Sequence, residues 1–251
     1  MKRQVLAGIV AVVLIALGQR VAGQAPAQAT PPVMSADEVV SAYFKARGGL
    51  DTWKAIQTIK TVGHMSAQGM DLPITIYGKR PNLSRQEITA NGQTVINSFD
   101  GTTAWSLNPF SSPLPGAVTG PQAGMIKSQS DFDGSLVDYK DKGGTLALVG
   151  TETVDGAKVY HLTLTMPDGL VEQHYIDVEK FVETRMTTAV KAGGVTRVLE
   201  TQMASYTSVE GILMPFLLKN LSDGVPEATL TIDTVAFNVT LDDAFFKMPV
   251  R

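Results

Sequence analysis

The chain has 251 residues, 21 Lys and Arg against 24 Asp and Glu, a net charge of −3, three histidines and no cysteine. That balance argues against a nucleic-acid binder, which needs a basic face, and against a polybasic patch for anionic lipids. The lack of cysteine excludes disulfides, thiolate metal sites and lipid attachment at a cysteine.

The chain opens with Lys2 and Arg3, followed by the uninterrupted apolar run "VLAGIVAVVLIAL" and the small-residue stretch "GQRVAGQA". The run is shorter than the roughly 20 residues of a membrane-spanning helix and reads as a secretory signal. Residues 1–23 are therefore expected to be a signal peptide, with cleavage after Gly23 or Ala25. Their removal takes away Lys2, Arg3 and Arg20 and moves the net charge from −3 to −6. Residues 24–34, rich in Ala, Gln and Pro, form an expected flexible lead. Residues 35–251 suffice for one domain with a single core. The expected location is the bacterial periplasm, with no transmembrane anchor after cleavage.

Ser35 and Glu38 have capping-box spacing, and Val39, Val40, Tyr43 and Phe44 mark one face of the helix that follows. Gly48 and Gly49 supply its stop. A second short helix is expected around Leu50 to Ile56. Strands follow: "ITIYGKRP", "LSRQEITA", "GQTVINSF" and "TTAWSL", with Asn91–Gly92 and Asp100–Gly101 at turn positions. Links this short require an antiparallel meander.

"NPFSSPLPGAVTGPQAG" then interrupts the pattern, and its prolines and glycines argue that it cannot continue a sheet. Helical character follows over Gln122 to Ser130. Next comes "DFDGSLVDYKDKGG", dense in aspartate. A calcium loop of EF-hand type wants ligands at its first, third and fifth positions, Gly at the sixth and Glu at the twelfth. Counted from Asp131, Gly134 arrives at the fourth position and no Glu closes the loop. The aspartates read instead as caps and turn formers, with Leu136, Val137 and Tyr139 as apolar anchors.

Strands resume at "GTLALVGTETV" and continue to "ATLTIDTVAFN". In "VYHLTLTM", Tyr160, Leu162, Leu164 and Met166 face one way, so one face of the sheet is packed and the other is semi-polar. The expected fold is mainly β with some helix (α+β): a curved, half-open antiparallel barrel of about eleven strands, its concave side closed by the N-terminal helix and the 109–140 segment.

Catalytic signatures are missing: there is no phosphate-binding loop, dinucleotide fingerprint, nucleophile elbow or paired-His zinc helix. His174 has Glu172 two residues back on the same face, and without a third ligand nearby in sequence the two read as a surface pair. No metal, cofactor or catalytic residue is expected.

"YFKARGGLDTWKAIQTIKTVGHM", "FDGTTAWSLNPF", "DFDGSLVDYKDKGGTLALVGTETVDGAKVYHL", "VEGILMPFLLKN" and "LDDAFFKMP" together resemble bacterial outer-membrane lipoprotein-sorting proteins. These are similar to the LolA-type periplasmic lipoprotein carriers. The resemblance spans Ser35 to Pro249. It implies a half-open barrel with a helical lid over an apolar cavity that binds acyl chains of lipids or lipoproteins, in a LolA-like chaperone or transport role. The expected ligands are those acyl chains, with envelope proteins as further candidate partners and nucleic acid excluded. The alternative is an envelope sensor or protein-interaction module using the same concave face. Trp105, Phe110, Met125, Ile126 and Phe132 are the candidate cavity residues, chosen by position and size in or beside the lid segment.

Overall fold

The structure is a computed structural model, and it describes residues 34–192 and 194–249. The expected signal peptide, and the lead up to Val33, lie outside the described residues.

Helix α1 (Ala36–Ala46) begins as its sequence requires. Ser35 Oγ accepts from the Glu38 amide at 3.3 Å, and the Ser35 amide donates to Glu38 Oε2 at 2.7 Å. Val39, Val40, Tyr43 and Phe44 form its buried stripe. The helix ends at Arg47-Gly48-Gly49. Gly48 has φ +109°, and a Cβ there would lie 2.3 Å from the Gly211 carbonyl oxygen, so only glycine fits. Helix α2 (Leu50–Ala55) follows at once.

One antiparallel sheet makes up the rest. Its first half is β1 (Thr58–Ala67), β2 (Met70–Lys79), β3 (Leu83–Ala90), β4 (Gln93–Phe99), β5 (Ala104–Leu107) and β6 (Gly116–Ala117). Its second half is β7 (Thr145–Val154), β8 (Ala157–Thr165), β9 (Val171–Asp177), β10 (Glu183–Ala192), β11 (Val195–Val209), β12 (Ile212–Ser222) and β13 (Val225–Phe237). The spatial order is β6-β5-β4-β3-β2-β1-β13-β12-β11-β10-β9-β8-β7. Each half is a meander, and β1 joins them by pairing with β13. β6 and β7 remain as free edges, so the curved sheet stays open.

The thirteen strands exceed the expected eleven by two. β1 escapes notice because Lys60, Gly63 and His64 break its apolar pattern. β6 corrects the expectation that the Pro- and Gly-rich stretch cannot pair: Ala117 stands opposite Trp105 and Gly116 opposite Ser106. It does so as a two-residue edge strand lying after Pro113 and Pro115, where proline is tolerated. Prolines inside the sheet obey the same rule. Pro73 in β2 precedes Ile74, where pairing with β3 begins, and Pro215 in β12 precedes Leu217, where pairing with β13 begins.

Because β6 and β7 are opposite edges, the connection between them must cross the sheet. It carries α3 (Gly120–Ser128) and the aspartate-rich connector. The main core joins Val39, Val40, Tyr43 and Phe44 of α1, Leu136, Val137 and Tyr139 of the connector, Tyr160, Leu162 and Leu164 of β8, and Ile176 of β9. Each fully buried leucine contributes about 1.5–3 kcal/mol. Helix α3 packs separately, through Ile126 onto Phe99 and Ala104. Helix α1 and the connector thus cover the β7–β9 end of the concave face, and α3 covers β4 and β5. No helix among the described residues is long and apolar enough to cross a membrane.

Candidate functional site

Between α1, the connector and the inner faces of β9 to β12 lies a cavity of about 520 Å³. That volume falls within the roughly 300–1,000 Å³ of small-ligand sites. Its apolar wall includes Phe44, Trp53, Phe132, Leu136 and Leu170, together with Met166, Met186, Met203 and Met214. Methionine adapts its shape to irregular apolar ligands. A groove of similar volume on the other side of α1 is lined partly by Asp37 and Lys140, which are paired to each other at 2.7 Å.

The connector is pinned over the cavity by Asp133. Trp53 Nε1 donates to its Oδ1 at 3.0 Å, and Arg80 Nη1 donates to its Oδ2 at 2.5 Å. The same arginine donates to the carbonyls of Ile56 (2.6 Å) and Trp53 (3.1 Å) and lies over the Phe132 ring. Asp131 pairs with Lys142 at 2.9 Å, and Asp138 with Lys54 at 2.6 Å. The aspartate-rich run therefore fastens a crossing segment.

One part of the cavity wall is polar. His174, 2% exposed, places Nδ1 2.6 Å from Glu183 Oε1 and Nε2 3.3 Å from Glu172 Oε2. This corrects the reading of His174 and Glu172 as a surface pair. The missing partner, Glu183, comes from the next strand, beyond the 178–182 turn, so local spacing conceals it. Burial disfavours the charged imidazole, but the Glu183 and Glu172 carboxylates outweigh it and push its pKa up to about 9. Burial likewise opposes ionisation of Glu172, but the His174 and Ser135 side chains beside it bring it below its ordinary value. Each ring nitrogen faces a different carboxylate, so the three do not converge on one point. Among the described residues no group of three or more His, Asp or Glu is arranged to hold a metal ion.

Arg47, at the end of α1, also lines the cavity. Its Nη1 donates to Tyr43 Oη at 2.6 Å and its Nε to the Leu213 carbonyl at 3.2 Å. The guanidinium carbon lies 5.2 Å from the Tyr43 ring centroid and 5.3 Å from that of Trp53. Burial pushes the Tyr43 hydroxyl up to about 12, so it stays protonated at neutral pH. Tyr206 is also raised by burial, and its hydroxyl donates to the Glu183 backbone carbonyl at 2.6 Å.

Of the five residues expected at the cavity, the structure places Phe132 on its wall. Trp105 is fully buried elsewhere, with Nε1 donating to the Phe246 carbonyl at 2.7 Å. Ile126 packs under α3. Phe110 and Met125 are 55% and 58% exposed and do not line this cavity. The position of the lid segment in the chain does not reveal which half of it crosses the cavity. The wall residues outside that set, Tyr43, Arg47, Trp53 and the methionines, come from elements whose pattern equally fits ordinary core packing.

No family model matches the chain, and no curated protein matches its sequence. Its fold, however, is shared with solved structures. A LolA superfamily protein from Nitrosomonas europaea superposes with a TM-score of 0.57 at 14% identity, covering 85% of this chain and 98% of that one. A DUF1329 family protein from Desulfovibrio piger gives 0.57 at 16% identity, covering 84% and 97%. An outer membrane lipoprotein-sorting protein domain from Vibrio parahaemolyticus gives 0.54 at 11% identity, covering 83% and 94%. The chain thus has the LolA-type fold, a half-open antiparallel barrel with helices on its concave side. The resemblance read from its sequence phrases holds at the level of architecture.

Proposed function

We propose that this protein is a periplasmic carrier or receptor that takes acyl chains of lipids or lipoproteins into the concave cavity, without covalent chemistry. The observation that carries this reading is the cavity of about 520 Å³ whose wall combines four methionines with Phe44, Trp53 and Phe132 beneath a crossing connector. Burying about ten methylenes at roughly 0.8 kcal/mol each yields about 8 kcal/mol, a dissociation constant near 1 μM. Apolar contact alone is then sufficient for useful affinity. The reading of residues 1–23 as an export signal supports the location, and the name of the Vibrio parahaemolyticus domain supports the sorting role. Native mass spectrometry of protein purified from the periplasm tests it. The expected result is a co-purified lipid or uptake of an added fluorescent fatty acid; absence of both contradicts it.

A second reading, as an envelope sensor or interaction module, draws on Phe110, Leu114 and Met125, which are exposed on the segment leading into and through α3. A stoichiometric protein partner that survives delipidation would favour it.

A further inference from the structure

Arg47 stands apart from the other partly buried arginines among the described residues. Arg80 is paired with Asp133, Arg85 with Glu87, and Arg185 with Asp155 and Glu200. Arg47 has no carboxylate within 4.0 Å among the described residues. Of the five N–H donors of a guanidinium, its hydrogen bonds use one at Nη1 and one at Nε. Its other donors are not sealed in the protein, since the fully enclosed unpartnered atoms belong to Glu172, His174 and Arg185, and Arg47 itself lines the cavity. Glu183 acts on it only at longer range, with its carboxylate already held by His174. A cation withdrawn from water without a counter-ion is costly, and the end of α1, where the helix dipole favours positive charge, offsets only part of that cost.

We infer that Arg47 is the head-group receptor of the cavity, so that the ligand is an acyl chain ending in an anionic group, a carboxylate or a phosphate. This rests on the acyl-binding reading above and narrows it to a chemical class. The free N–H groups supply charge-assisted hydrogen bonds to the anion. The Tyr43 and Trp53 rings and the bond to the Leu213 carbonyl hold the guanidinium in place before the ligand arrives. The chain lies along the methionines.

The test compares dodecanoate, dodecyl phosphate, dodecanol and dodecylamine at neutral pH by calorimetric titration below their aggregation concentrations. At least one anionic chain should bind tenfold or more tightly than dodecanol, with the amine weakest. Whichever anion binds better identifies the head. Arg47→Gln should abolish the anion's preference over dodecanol. Equal binding of anion and alcohol by the unaltered protein overturns the role of Arg47 and leaves acyl binding intact. Binding of none of the four overturns both. Equal binding of anion and alcohol by the unaltered protein refutes the role of Arg47 even where Arg47→Gln does not fold.

Discussion

Replacing His174 with glutamine removes the charge between Glu172 and Glu183, which approach its ring at 3.3 and 2.6 Å. Both carboxylates are largely buried, so the variant leaves two like charges with no cation in contact. Removing one partner of a buried ion pair costs about 3–5 kcal/mol. The lower figure corresponds to a fall in Tm of about 6–12 °C for a domain of this size. Urea unfolding followed by circular dichroism at pH 5 and pH 7.5 measures the effect. The loss should be large at both pH values. In the unaltered protein the imidazolium carries its charge at each. His174 has a folded pKa raised to about 9 from 6.5, so the associated stability is complete below pH 6.5 and is lost as pH rises through 9. Glu172, lowered from 4.5, contributes stability above pH 4.5 that is lost on acidification. A loss under 1 kcal/mol at either pH refutes the buried trio.

Asp133→Ala strands Arg80 and frees Trp53 Nε1. It should cost roughly 2 kcal/mol and raise hydrogen exchange across residues 131–139, read by mass spectrometry. Gly48→Ala should cost about 3 kcal/mol or more in urea unfolding, because backbone strain adds to a 2.3 Å contact with the Gly211 carbonyl. Gly69→Ala, at φ +77° with nothing near its Cβ, should cost about 1 kcal/mol. In the unaltered protein, exchange should be fast over the largely exposed 110–114 stretch and slow at Leu136, Val137 and Tyr139, which are buried.

Much of the architecture was legible because it rests on local rules. The capping box at Ser35, the stop at Gly48–Gly49, and the alternation of Tyr160, Leu162 and Leu164 each depend on neighbours close in sequence, and each appears as read. The site was less legible because it depends on which strands lie side by side. Glu183 reaches His174 across a strand boundary, and Arg80 reaches Asp133 across the connection between the sheet halves. Trp105 looked like cavity lining by size and position, yet its indole is taken up by the Phe246 carbonyl near the end of the chain. Phe132 lies on the cavity wall because the connector that carries it crosses the sheet.

The most direct test of acyl binding is a titration of the protein with dodecanoate, run in parallel on Met186→Trp. Met186 stands opposite His174 on the cavity wall. The account predicts one-to-one binding at about 1 μM or tighter. It predicts a loss of ten-fold or more in the variant, whose larger side chain fills the cavity, with circular dichroism unchanged. Equal binding by both proteins, or none by the unaltered one, contradicts the claim that this cavity holds an acyl chain.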